Sequence, residues 1–242
     1  MFLAVVALAI VGSAVAWNAD TASISAHVGV FVLVISGWIV SVCLHEFAHA
    51  YIAWRAGDHE VEVRGYLTLN PLKYSHPLLS IGLPLLFIAM GGIGLPGGAV
   101  YVHSDRFGPR VQRMISLAGP AVNAALAVIL LVIISMFGET RDHPAFWFGL
   151  SFLAFLQITA TVLNLLPVPG LDGYGALEPS LSPQTQRSFD QYKAFGLLAV
   201  MALLFVPSLN AAFFNAIYWL FELSGTPSWW SGNGAYLTRF WL

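Results

Sequence analysis

The sequence is short of charge. Asp, Glu, Lys and Arg make up 9% of its 242 residues, against roughly a quarter in soluble domains, so it lacks the charge to cover a water-facing surface. The formal net charge is only -2, which leaves no basic field for nucleic acid. There is one cysteine, Cys43. No disulfide can form within the chain, and nothing marks an oxidising compartment. A long polar stretch is missing as well, which excludes a soluble second domain and leaves a single membrane domain over 1–242. Internal repeats and low-complexity tails are also absent.

What the sequence has is hydrophobicity, at 58% of residues. Apolar segments fall at 2–17, 28–54, 78–102, 112–136, 145–168 and 194–223. A helix needs about 20 residues to cross the hydrocarbon core, so these segments predict an all-α polytopic membrane protein with about five to six transmembrane helices in the lipid bilayer. The first segment is short for a span. Ala14-Val15-Ala16 resembles a signal-peptidase site, but no Lys or Arg precedes the apolar run, which favours a retained helix over a cleaved signal. The last segment contains Pro207 and is expected to kink or split there.

The basic residues suggest the topology. Arg55, Arg64 and Lys73 follow the second segment, Arg106, Arg110 and Arg113 the third, and Arg187 and Lys193 the fifth. Placing these three groups in the cytoplasm satisfies the positive-inside rule, with Arg141 and Arg239 left over. Segment 78–102 would then start and finish on one side. Its run Gly91-Gly92-Ile93-Gly94-Leu95-Pro96-Gly97-Gly98 is a poor helix and fits a re-entrant, β-like excursion. An ordinary kinked helix in another topology is the alternative.

His45-Glu46-Phe47-Ala48-His49 is an HExxH pattern within an apolar segment that continues through Ala50 to Trp54. Positions i and i+4 of a helix share a face, so both imidazoles can reach one ion, with Glu46 placed to act on a water beside it. Unpaired ionisable groups are costly at membrane depth, and that favours a metal site over a polar patch that packs helices. Zinc takes imidazole nitrogen and carboxylate oxygen, and a catalytic zinc keeps one position open, so a third protein ligand is expected. Asp172 qualifies. It ends Asn164-Leu165-Leu166-Pro167-Val168-Pro169-Gly170-Leu171-Asp172, at the same side of the membrane as the HExxH. A plain Asp-Gly turn is the alternative for that residue. Asp58, Glu60, Glu62, Glu178 and Glu222 are less well placed. The other histidines, His27, His59, His76, His103 and His143, lie in loops or at segment ends, where solvated or structural roles are expected.

HEFAH in a membrane helix, a later NLLPVPGLDG, and Gly119-Pro120-Ala121-Val122-Asn123 between them together resemble the site-2 protease family of intramembrane zinc metalloproteases. The three motifs span residues 45 to 173. The resemblance implies one zinc ion per chain held by His45, His49 and Asp172, with Glu46 as catalytic base and Asn164 positioning substrate or stabilising the oxyanion. It also implies a transmembrane protein substrate. Asn123 matches the family's GPxxN asparagine and is expected among the substrate-binding residues, with helix packing as the alternative role. Gly94, Gly97 and Gly98 fall where the family has a membrane-embedded hairpin that binds extended substrate by strand addition. The loops are too short for the PDZ or CBS domains of many members, so a minimal member is expected. Its expected location is a prokaryotic plasma membrane, with the active site towards the cytoplasm. Two other functions fit part of the pattern: a non-catalytic homologue that binds membrane partners, and a zinc transporter. A transporter would need ionisable residues along a whole path, whereas those here gather at one depth.

Overall fold

The computed structural model describes residues 1–73, 106–190 and 196–241. The expected re-entrant excursion, including Gly94, Gly97 and Gly98, lies outside the described residues, as do His76 and His103. All regular structure among the described residues is helical. In chain order the helices are α1 (Phe2–Trp17), α2 (Ile24–Ala56), α3 (Glu60–Val63), α4 (Pro109–Phe137), α5 (Pro144–Asn164), α6 (Asp172–Leu177), α7 (Pro183–Asp190), α8 (Gly196–Phe205), α9 (Pro207–Glu222) and α10 (Ser228–Leu237).

Three of these helices, α2, α4 and α5, are long and apolar enough to cross a membrane, with 33, 29 and 21 residues. At 1.5 Å per residue the shortest of them spans about 32 Å, enough for a hydrocarbon core of about 30 Å. The 16 residues of α1 reach only about 24 Å. Pro207 breaks the last apolar segment as expected. The axes of α8 and α9 differ by 85° across the break, because proline lacks the N–H that would continue the ladder and clashes with the preceding turn. The described residues therefore hold three full spans, or four if the bent pair counts as one.

Local chemistry sets the helix ends. Ser23 Oγ accepts the Ala26 amide at 3.2 Å and caps α2. Gly57, at φ +110°, closes the other end in the left-handed conformation that glycine adopts without strain. Both α4 and α5 begin with proline, whose fixed φ suits the first helical position.

Helix α5 is the centre of the fold. Of its apolar stretch 83% is buried inside the protein, against 33% for α4. Leu156 and Leu163 on α5 are fully buried, in one core with Val30 and Val34 of α2 and Ile217 and Phe221 of α9. By contrast, α4 exposes Val128, Ile129, Val132 and Met136, a stripe suited to lipid. Small residues bring α1 onto α2: a Cβ on Gly12 would lie 2.5 Å from the Leu33 nitrogen, and one on Gly29 would lie 2.6 Å from the Ala16 nitrogen.

Along α2 and α4 the pairings run in opposite senses, His45 with Asn123 and His49 with Ile115. Gly149 and Leu153 of α5 meet Leu33 and Gly37 of α2 in the same sense, so α2 and α5 run one way and α4 runs back. The end of α2, the start of α4 and the loop after α5 therefore meet at one end of the bundle. Arg55 near the end of α2 and Arg110 and Arg113 in the first turns of α4 lie at that end, with Arg106 just before α4.

Candidate metal centre

His45 and His49 lie one turn apart on α2, both buried. His49 is seven residues before the helix end at Ala56 and His45 is eleven before it. The pair therefore sits about 10 to 17 Å down from the end of α2. The i, i+4 spacing turns both rings towards α4, with their Nε2 atoms 3.1 Å apart.

The third group arrives from a return loop. After Asn164 ends α5, the chain turns through Gly170 at φ +96° and starts α6 at Asp172. The loop folds tightly onto itself, since a Cβ on Gly173 would meet the carbonyl groups of Leu165 and Leu166. This carries Asp172 Oδ2 to 3.3 Å from His45 Nε2 and 3.4 Å from His49 Nε2. Asp172 is the most open of the three, at 24% side-chain exposure against 11% for His45 and 8% for His49.

Three ligand-type atoms thus form a nearly equilateral triangle with edges of 3.1 to 3.4 Å. Ligand bonds of about 2.0 Å at the tetrahedral angle require edges of about 3.3 Å, so the triangle has the size of a zinc face. The far sides of the rings set the tautomers. His45 Nδ1 faces Asn123 Oδ1, and His49 Nδ1 lies 2.6 Å from the Ile115 carbonyl. Both partners are acceptors, so both Nδ1 atoms carry the proton and both Nε2 atoms point a lone pair inwards. Asp172 Oδ2 is buried with no hydrogen-bond partner. Three such atoms packed this closely need positive charge between them, from an ion or from imidazole protons, and the donor set of two imidazoles and a carboxylate suits zinc.

Two further features fit. A Cβ on Gly119 would fall 2.5 Å from His45 Nε2 and closer still to His49 Nε2, so the glycine keeps open the space an ion needs. Glu46 is buried beside the pair on α2, and its carboxylate together with that of Asp172 would balance a divalent charge. Burial opposes ionisation of Asp172, but positive charge at the Nε2 edge of His49 and His45, whether from an ion or from imidazole protons, outweighs it and holds the carboxyl well below the usual carboxylate range.

The structure gathers His45, His49 and Asp172, the one such group of metal-ligating side chains among the described residues. Asn164 is buried as the last residue of α5, directly before the loop that carries Asp172. Sequence placed Asn123 with the substrate-binding residues; in the structure both ends of its amide are engaged. Its Oδ1 meets His45 and its Nδ2 donates to Gln157 Oε1 at 2.8 Å. Gln157 escaped the sequence reading, although a glutamine inside an apolar helix was a signal, since such a group needs a partner at membrane depth. It also lies seven residues before Asn164, two turns along the same face of α5. The Ile115 carbonyl and the nearness of Gly119 carried no signal of their own. Among the other histidines, His143 stacks on Trp17 with ring centroids 3.7 Å apart, and His27 packs edge-on to Tyr236.

Comparison with known proteins agrees with this geometry. The chain is 57% identical over its whole length to "Putative zinc metalloprotease Rip2" of Mycolicibacterium smegmatis, covering 93% of that protein. The chain belongs to this zinc metalloprotease family. The Mycobacterium tuberculosis protein of the same name is 55% identical over the same span. "Putative zinc metalloprotease YwhC" of Bacillus subtilis is 35% identical over 178 residues, 70% of this chain and 78% of that protein. No protein-family profile and no solved structure matches the chain. As a zinc metalloprotease family member, the chain has in its buried triangle a group able to bind the metal its relatives' names specify.

Proposed function

We propose that the protein is an intramembrane zinc metalloprotease of the site-2 protease family, hydrolysing peptide bonds in transmembrane segments of protein substrates. The observation that carries this reading is the triangle of His45 Nε2, His49 Nε2 and Asp172 Oδ2, set among apolar helices below the end of α2. These three residues would hold one zinc ion per chain. When bound, zinc supplies Lewis acidity, lowering the pKa of a water and polarising a carbonyl.

The chain's own groups do the rest. Glu46, a carboxylate on the same helix, takes the proton of the attacking water and passes it to the leaving amine. Asn164 donates its amide to the oxygen that gains charge as the carbonyl carbon becomes tetrahedral. The Gly-rich stretch with Gly94, Gly97 and Gly98 holds the substrate after it unwinds, because a helix hides its carbonyls in its own hydrogen bonds. Water enters past Asp172, the most exposed of the three ligands. The basic end of the bundle faces the cytoplasm of a prokaryotic plasma membrane, which puts the site towards that side.

The test pairs two measurements on purified protein: metal content, and cleavage of a model transmembrane substrate by wild type and Glu46→Gln. The expected result is about one zinc per chain in both proteins, with cleavage by wild type alone. Full cleavage by Glu46→Gln would remove Glu46 as the base, and a wild type that binds no metal would end the reading.

A further inference from the structure

Gln157 is 1% exposed and Asn123 is 3% exposed, both inside apolar helices. Two primary amides at that depth are costly unless each finds a partner. Here they find each other across the α4–α5 contact, and the direction of the bond matters. Gln157 Oε1 accepts from Asn123 Nδ2 at 2.8 Å. That fixes the Asn123 amide, which has one donating and one accepting end, so that Oδ1 faces His45 Nδ1. An acceptor at Nδ1 keeps the proton there and leaves the Nε2 lone pair for the metal.

We infer that Gln157 is a positioning residue for the metal centre: acting through Asn123, it sets the tautomer and ring orientation of His45 and thereby the zinc affinity of the site. This inference rests on the metal reading above. Gln157 itself touches neither metal nor substrate. It acts at two removes, by offering Asn123 Nδ2 an acceptor and so favouring the orientation in which Oδ1 faces His45. With a donor facing Nδ1, the imidazole would have to carry its proton on Nε2 and would no longer be a ligand. His49 needs no such relay, since its Nδ1 meets a backbone carbonyl that cannot turn into a donor.

The test measures zinc affinity in detergent by competition with a chromophoric chelator, so it does not depend on cleavage. Gln157→Met keeps the side-chain length and removes the acceptor; zinc affinity should fall about 10- to 100-fold. Gln157→Glu keeps an accepting oxygen whether or not the carboxyl is ionised, and should stay within a few-fold of wild type. In an Asn123→Ala background, Gln157→Met should cost nothing further, because the relay is already cut. If Gln157→Met fails to fold, Gln157→Leu, which also lacks the acceptor, takes its place: affinity should fall as for Gln157→Met, and wild-type affinity in it would overturn the inference. Wild-type affinity in Gln157→Met with only a lowered unfolding temperature would reduce the pair to helix packing and overturn the inference. So would an equal loss with and without Asn123, or a large loss in Gln157→Glu. A wild type that binds no zinc would instead strike at the metalloprotease reading, so the two failures are told apart.

Discussion

The backbone of Gly119 stands against the metal-facing edge of His45, so close that a Cβ there would lie 2.5 Å from the imidazole Nε2. Within the Gly119-Pro120 pair of α4, the glycine therefore serves the site directly. Gly119→Ala should leave the helical bundle folded, at a cost on the order of 1–3 kcal/mol for the extra methyl. Its zinc affinity should fall at least 100-fold. Circular dichroism and metal analysis of the same sample check this; full zinc occupancy in a folded Gly119→Ala protein would contradict the placement of the site.

Gly173 acts at one remove, because its backbone lies against the carbonyl groups of Leu165 and Leu166. A methyl there has to displace the return loop, and Asp172 moves with it. Gly173→Ala should weaken zinc binding at least tenfold. Asp172→Ala, which deletes the ligand, should weaken it further. Zinc binding by Gly173→Ala at wild-type strength would show that the loop has slack the packing does not suggest.

Zinc binding should depend on pH with a definite sign. Both imidazoles must be free at Nε2 to bind the ion, so protons compete with zinc. Affinity should fall as the pH is lowered from about 8 to 5, because each imidazole must be free of a proton at Nε2 before it can bind the ion. Asp172 adds nothing to the slope there. Its carboxyl is held below the usual carboxylate range, so its charge persists until the pH falls beneath that window. Chelator competition at a series of pH values measures the slope; an affinity unchanged between about pH 8 and 5 would argue against imidazole ligands.

Asn164 should separate binding from chemistry. If it steadies the oxyanion, Asn164→Ala keeps its zinc and its KM while kcat falls about 10²- to 10³-fold. Steady-state cleavage of a model transmembrane peptide gives both constants. A rise in KM with kcat unchanged would move Asn164 to substrate holding instead.

Much of this protein was legible along the chain, because its signals are local. The apolar runs located α2, α4 and α5, Pro207 marked the break before α9, and the i, i+4 spacing put His45 and His49 on one face. Asp172 was identifiable because its loop carries the third oxygen to the side where α2 ends. In each case the deciding interaction lies within one helix, one turn, or the choice of which side of a bilayer a loop occupies.

The relay behind the metal centre was a different matter. Asn123 and His45 are 78 residues apart, and Asn123 and Gln157 are 34 apart. Whether they touch depends on how α2, α4 and α5 are rotated about their own axes, which periodicity within a single helix does not fix. The same holds for Gly119, whose missing Cβ matters only once α4 lies across the two imidazoles. Sequence alone determined the membrane class, the rough positions of the long helices and which residues could bind a metal. Only tertiary packing decided which lone pairs face inwards, because hydrogen-bond direction and ring orientation are properties of contacts between helices rather than of any one of them.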